Sequence, residues 1–314
     1  KDFSKPQAFH DQPVTRSGGI AAIISLSIFF VIYYLLYSKV LYNYIFISYS
    51  MFLVGFLDDL KINIKPLKRL IIMVLLLFIF IYTLPIKIFN IDIPFLMPLM
   101  SSHILSSVFV LLCFLFVING ANLIDGFNGL LTINLIIINI ILAYINMNNG
   151  NLEFAILLIS QIIILLSFLL FNFPSAKIFL GDSGAYLFGA LISLNTIITN
   201  NINPNVSSFF FCTLLFYLFF EVFFSFFRKF AQKKSPIYPD DKHLHMLSFY
   251  KISSIYGKIK GNYLNSIIIN FLYLILIIPG LYLADDADLS RYWFFILLLF
   301  YLIFYSRLYH LTKN

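Results

Sequence analysis

Charge is what this sequence has least of: 11% of its 314 residues are Asp, Glu, Lys or Arg, against 61% hydrophobic and 19% aromatic. So much apolar surface exceeds what a soluble core can hide, which excludes an ordinary water-soluble domain. Cysteine is scarcer still. Cys113 and Cys212 are the only two, and each lies inside a long apolar run. That excludes a disulfide framework or a thiolate metal site and leaves both as packing residues. Neither CxxC nor HExxH occurs, so a zinc site lacks its usual ligand pattern. The net charge of +7 comes without a basic stripe interleaved with exposed aromatics, which argues against nucleic acid as a partner. No signal peptide is visible. The first residue is Lys and polar sequence precedes the first apolar run, so the expectation is an amino terminus that has been lost.

What abounds is apolar runs long enough to cross a bilayer. Ten are read, at 19-37, 40-57, 70-89, 103-119, 129-146, 152-172, 184-199, 206-227, 263-284 and 292-309. With the amino-terminal segment in the cytoplasm, the connections 1-18, 58-69, 120-128, 173-183, 228-262 and the tail from Ser306 share one side. They carry all 21 Lys and Arg residues except Lys39, Lys87 and Arg291. The opposite side collects Asp92, Glu153, Asp285, Asp286 and Asp288. This basic asymmetry fixes the orientation expected of a multi-pass protein of the inner (plasma) membrane. The fold expected is all-α: a polytopic helical bundle of about ten transmembrane helices in one membrane-embedded domain, 1-314. No inverted repeat of the transporter kind is seen.

Four polar stretches interrupt the apolar runs, all on the side assigned to the cytoplasm. In GFLDDL, Asp58 and Asp59 end a greasy helix. They are either a solvated helix end, where carboxylates oppose the macrodipole, or, with Lys61, Lys65, Lys68 and Arg69 close behind, part of a phosphate and metal site. NGANLIDGFNGL, residues 119 to 130, is either a turn or a surface where Asn amides and Asp125 meet a ligand beside permissive glycine. In FPSAKIFLGDSGAY, Asp182 is either a helix N-cap or a carboxylate holding Mg²⁺ against a diphosphate, and Phe179 is either core or a base-stacking ring. In SPIYPDDKHLHML, His243 and His245 are metal ligands, phosphate donors or surface residues, with phosphate contact the better functional choice. Glu221, seven residues before Arg228 inside the eighth run, must be paired, protonated or facing a cavity, and a cavity near the cytoplasmic end is expected.

Taken in order, HDQPVTRSGGIA, GFLDDL, NGANLIDGFNG, FLGDSGAYLFGA and RKFAQKKSPIYPDDKHLHM resemble the polyprenyl-phosphate N-acetylhexosamine-1-phosphate transferase family, glycosyltransferase family 4, over nearly the whole chain. The resemblance implies a Mg²⁺-dependent enzyme, with Mn²⁺ as a substitute. It would move a sugar phosphate from a UDP-N-acetylhexosamine to a polyprenyl (undecaprenyl) phosphate, releasing UMP, as the first membrane step of cell-envelope glycan synthesis. Residue by residue it implies Asp182 as the metal ligand with Asn122 as partner, Asp58 and Asp59 beside the lipid phosphate, and Lys68 as the basic residue that follows them. Asn119, Asp125 and Asn128 then belong to the nucleotide-reading motif, Phe179 stacks on uracil, and Asp240, His243 and His245 meet the sugar diphosphate. The last stretch favours the GlcNAc type over the muramoyl-pentapeptide type, and a homodimer is compatible. The family loop commonly reads HLHH, whereas Met246 stands last here, which implies one donor fewer and a changed substrate choice or rate. A transporter of nucleotide sugar or lipid is the rival from another class. It would place ionisable groups near the bilayer midplane rather than on one face.

Overall fold

The computed structural model describes residues 14-60, 62, 64-235 and 240-313. The start of HDQPVTRSGGIA, Lys61 and residues 236-239 near the start of SPIYPDDKHLHML lie outside the described residues. Among those described there are thirteen helices and no strands beyond one isolated parallel bridge, Thr15 to Ile178. In chain order the helices are α1 Gly18–Tyr37, α2 Tyr42–Asp59, α3 Pro66–Thr83, α4 Met97–Met100, α5 His103–Ile124, α6 Leu130–Asn148, α7 Leu152–Asn172, α8 Gly181–Ile202, α9 Ser208–Leu214, α10 Phe216–Ala231, α11 Leu244–Tyr256, α12 Lys258–Tyr282 and α13 Ala287–Lys313.

Each of the ten apolar runs is helical, but three differ instructively from expectation. Run 70-89 starts earlier, because Pro66 occupies the first turn where its missing N–H costs nothing. It ends at Thr83, because Leu84 precedes Pro85. Run 206-227 is not one helix: α9 and α10 meet at a 75° bend. The Tyr273 hydroxyl donates to the Leu214 carbonyl at that break, satisfying a group the bend frees. Run 103-119 continues through Ile124, so Asn119 and Asn122 sit on the last turns of α5 rather than in a loop. The extension survives its glycine because Gly120 is where α5 touches α10: a Cβ there would lie 2.0 Å from the Leu218 carbonyl oxygen. Two elements, the short α4 and the thirteen-residue α11, were not expected.

Among the described residues seven helices are long and apolar enough to cross a membrane, or eight if the bent α9–α10 pair is one span. The protein is therefore an all-α multi-pass membrane protein, with ten spans an approximate figure. The two runs that fall short, α2 and α8, are the polar centre of the bundle. Nearly every side chain of α8 is buried, chiefly against α2 and α5, so it shows lipid little surface. Its Asn195 carboxamide accepts from Tyr44 at 2.9 Å and donates to Gln161 and Asn139 at 2.8 and 3.1 Å, joining α8 to α2, α7 and α6. Such interhelical bonds stand in for the hydrophobic force that lipid does not supply.

The helix ends sort into two faces. One gathers the starts of α1, α3, α6, α8, α11 and α12 with the ends of α2, α5, α7 and α10. The other holds the Lys39–Glu153 ion pair, 2.8 Å, and the links from Asp92 to Ser207 and Ser208. A cavity of about 570 Å³ lies on this second face, lined by Tyr33, Tyr42 and Glu153 among others, away from all four polar stretches.

Candidate functional site

The first face is built around the amino terminus of α8. Asp59, at the end of α2, accepts from the backbone N–H of Asp182 and of Ser183 at 3.1 and 2.9 Å, and from the Ser183 hydroxyl at 2.7 Å. The cap of α8 therefore comes from another helix, and a carboxylate facing the positive end of the macrodipole contributes on the order of 1 kcal/mol. Gly181 makes the approach possible. Its φ is +77°, and a Cβ there would stand 2.6 Å from Asp59 Oδ2. Asp182 is the second residue of α8, whose N-cap position belongs to Leu180, so it is not the N-cap that the sequence offered as one alternative.

The Asp182 carboxylate is engaged by arginines instead. Arg69 Nη1 lies 2.8 Å from Asp58 Oδ2 and 3.0 Å from Asp182 Oδ2, bridging the two. Arg16 lies farther out, 3.5 Å from Asp59 and 3.7 Å from Asp182. The Arg69 guanidinium rests over the Tyr186 ring at 5.5 Å, and the Tyr186 hydroxyl accepts from Asn122 Nδ2 at 3.0 Å. Asp58, Asp59, Asp182 and Asn122 are thereby brought together as expected. Lys68 is not: it is exposed and takes part in none of the ion pairs found at these acids among the described residues. The two cations are neighbours at the start of α3, about 100° apart around the helix axis, and it is Arg69 that faces the acids.

Asp125 follows directly on α5. Burial first, then the charge of Asp182, pushes its carboxyl well above the ordinary range, with Arg16 opposing and Asp59 adding to the rise. Asn119 donates to the Leu115 carbonyl of its own helix at 2.7 Å. Asn128 is a brace rather than an open ligand-reading group: it is buried, its backbone N–H donates to Asn262 on α12 and its side chain to the Pro174 carbonyl. Phe179 is half-buried beside the acids, held by backbone bonds to Thr15 and Gly18, the same strap that carries Arg16.

The fourth stretch closes on the second through Phe127, whose ring centroid is 5.8 Å from that of His245. His243 and His245 stack in parallel, centroids 5.5 Å apart. Glu221 is paired and does not line the polar cavity expected for it. It meets His243 Nδ1 at 3.2 Å and accepts from the Leu244 N–H at 3.2 Å and the Tyr301 hydroxyl at 2.8 Å. Asp240 lies 3.2 Å from His243 Nε2 and takes both oxygens to Arg228 Nη2 at 3.0 and 2.9 Å. His245 is fully buried, and loss of hydration lowers its basicity to a pKa of about 3, despite the pull of Glu221 and with His243 adding to the fall. It is neutral at physiological pH, a hydrogen-bonding ring rather than a charge.

Asp240 supports a pH prediction. Burial pushes its carboxyl up, but His243, Arg228 and Lys229 together outweigh that and leave it below its ordinary value. A depressed folded value stabilises the fold fully above the unfolded value of about 3.9, and this is lost as pH falls through the folded value. Asp240→Asn is expected to lower the melting temperature at pH 7, with the gap to wild type closing as pH falls from the unfolded value of about 3.9 through the lower folded value; thermal unfolding across pH in detergent reads it.

Met246 corrects an expectation. Its side chain is 1% exposed and belongs to the hydrophobic core, not to the polar cluster. Met246→His is therefore expected to destabilise by about 1–3 kcal/mol, the cost of burying an unpartnered polar group, instead of restoring a substrate donor. A melting temperature equal to wild type with altered sugar preference would contradict this.

Sequence reasoning singled out the three acids and counted Arg69 in the cationic cluster behind Asp59, but gave the basic role to Lys68 and gave none to Arg16, Arg228 or Tyr186. The arginines had a signal, each standing within or beside a recognised polar stretch; Tyr186, one of 20 tyrosines, had none.

The chain is similar to the undecaprenyl-phosphate alpha-N-acetylglucosaminyl 1-phosphate transferase of Thermotoga maritima, 29% identical over 255 residues that cover 80% of this chain and 76% of that protein. It is also similar to the phospho-N-acetylmuramoyl-pentapeptide-transferases of Clostridium perfringens and Streptococcus thermophilus, 31% and 34% identical over 46% of this chain; the match spans 48% and 45% of those proteins, about half their length. Residues 41–200 match the model of Glycosyl transferase family 4. That match takes in half of the chain and, with it, Asp58, Asp59, Asn122, Asp125 and Asp182, so the acid cluster belongs to the matched region: this chain is a member of glycosyl transferase family 4.

Proposed function

We propose that this protein is a phosphoglycosyl transferase that moves GlcNAc-1-phosphate from UDP-GlcNAc to a polyprenyl phosphate in the plasma membrane, releasing UMP on the cytoplasmic side. The observation that carries the reading is the convergence of Asp58 and Asp182 on one cationic group, beside Asn122, at a helix terminus on the basic face of a membrane bundle. A long polyprenyl tail stays in hydrocarbon, so its phosphate is met only at an interface, and acids at helix ends suit that meeting.

The donor set suits Mg²⁺, or Mn²⁺ in its place. Two carboxylate oxygens already share one cation at 2.8 and 3.0 Å, and Asn122 supplies a neutral oxygen nearby. Among the described residues no three His, Cys, Asp or Glu side chains form a ready-made metal cage. That accords with a hard cation held through one or two carboxylates and completed by substrate phosphates. Asp182, Asn122 and Asp58 would hold it, and its contribution is to neutralise diphosphate charge.

The chain's own groups divide the remaining work. Asp59 is saturated by three donors from α8, so it holds the site's framework. Asp58, 30% exposed, paired with Arg69 and hydrogen-bonded with Asp182, is the carboxylate positioned to take a proton from the lipid phosphate. His245, whose Nε2 has no hydrogen-bond partner among the described residues, offers a neutral ring nitrogen to the sugar diphosphate, and His243, its two nitrogens facing Glu221 and Asp240, stacks on it and holds it in place. Asp125 offers a carboxyl that favours its neutral form, able to donate as well as accept toward a nucleobase. Phe179 is the candidate stacking ring.

GlcNAc is preferred over the muramoyl-pentapeptide because the Thermotoga relative matches over most of the chain, whereas the muramoyl relatives match over about half of it. Membranes carrying the protein, given labelled UDP-GlcNAc, Mg²⁺ and undecaprenyl phosphate, are expected to release UMP and form a lipid-linked sugar. Uptake of the nucleotide sugar without UMP would instead mark a transporter, and UMP release from UDP-N-acetylmuramoyl-pentapeptide alone would assign the other branch.

A further inference from the structure

Arg69 occupies the place that the transferase reading gives to the divalent cation. Its Nη1 draws on Asp58 Oδ2 and Asp182 Oδ2 together, and its guanidinium lies over the ring of Tyr186, which Asn122 holds by the hydroxyl. Two of the three groups assigned to the cation therefore contact this one side chain, and the third reaches it through Tyr186. Arg16 is no equal: its side chain is 55% exposed and its distances are longer, whereas Arg69 is 20% exposed.

We propose that Arg69 is a positioning residue that competes with the divalent cation for Asp58 and Asp182, and that the substrate diphosphate relieves the competition by giving its guanidinium another partner. The proposal rests on the transferase reading for the cation at Asp182. Its physical basis is exclusion: two cations cannot share the same carboxylate oxygens at contact distance without strong repulsion. Guanidinium pairs as well with phosphate as with carboxylate. Cation and nucleotide sugar must then favour each other's binding, and by linkage the coupling is reciprocal. Arg69 keeps the acids assembled and nearly neutral, and yields them when both ligands arrive.

The test is direct Mn²⁺ binding to the purified full chain in detergent, by electron paramagnetic resonance, with and without UDP-GlcNAc. Arg69→Gln is expected to bind Mn²⁺ about tenfold more tightly than wild type without the nucleotide, and to gain less on its addition. Arg69→Lys, which keeps a charge but loses the planar fork, is expected to fall between the two and serves if the Gln variant does not fold. Mn²⁺ affinity unchanged or weaker in both variants, with an unchanged gain from UDP-GlcNAc, overturns the proposal. Asp182→Asn separates this from failure of the underlying reading. If it abolishes Mn²⁺ binding while the Arg69 variants match wild type, the role of Arg69 alone fails; if it binds Mn²⁺ like wild type, the cation assignment fails and the proposal with it.

Discussion

Asp182→Asn is expected to cut turnover by about 10³-fold, while the protein remains folded and inserted. The size follows from removing a charge at the point where diphosphate charge must be neutralised, where single electrostatic contacts are worth about 10²–10³ in rate and a cation ligand at least as much. Preservation of the fold follows from the division of labour at α8. Asp59, not Asp182, caps the helix, and all three of its bonds involve backbone or Ser183 groups that the substitution leaves in place. Arg69 and Arg16 each retain another acid, Asp58 and Asp59. UMP release and a melting curve on the same preparation check both halves, and near-normal turnover would remove the cation assignment.

Gly181→Ala is expected to do the reverse of a clean active-site change and damage stability and turnover together. A non-glycine residue at φ +77° costs about 1–2 kcal/mol, and the new Cβ would meet Asp59 Oδ2 at 2.6 Å and its Cγ at 3.0 Å. Asp59 must give way, and loss of a helix cap costs about 1 kcal/mol more. A total of about 2–3 kcal/mol should lower the melting temperature by several degrees. Displacing α2 relative to α8 by even 1 Å also misplaces Asp58 against Asp182, and such misplacement costs about 10² in rate. A variant that melts like wild type would show that the cap from α2 is dispensable.

How much of this was legible in the sequence depends on whether a residue's role is set locally. Asp58, Asp59 and Asp182 stood out because ionised groups are rare in so apolar a chain, and the alternation of basic and acidic connections located them on one face. Their separate roles were not legible. Asp59 becomes a cap only because the end of α2 meets the start of α8 from 123 residues away, and nothing in GFLDDL distinguishes the two acids. Lys68 and Arg69 differ by one position, and which of them faces the acids is decided by where α3 begins. The NGANLI segment reads as a loop by its Asn and Gly content, yet close packing against Leu218 of α10 keeps it helical. Glu221 was legible as a buried charge needing an explanation, but its partners come from the histidine stretch and from Tyr301, 80 residues on. Met246 shows the limit of motif comparison: a position that aligns with a donor points into the core here.

The central claim is that four hydrophilic stretches far apart in sequence meet on the cytoplasmic face of the membrane. Single cysteines at Lys68, Gly126, Lys177 and Asp241, one per stretch, with Asn149 and Asp285 as controls from the opposite face, test it in a background where Cys113 and Cys212 are replaced by Ala. Gly126 accepts a side chain, since a Cβ there meets nothing within 4 Å, and the other five residues are exposed. A membrane-impermeant maleimide is expected to label the four only in inside-out vesicles and the two controls only in right-side-out vesicles. Labelling of any one of the four from the outer side would contradict the account.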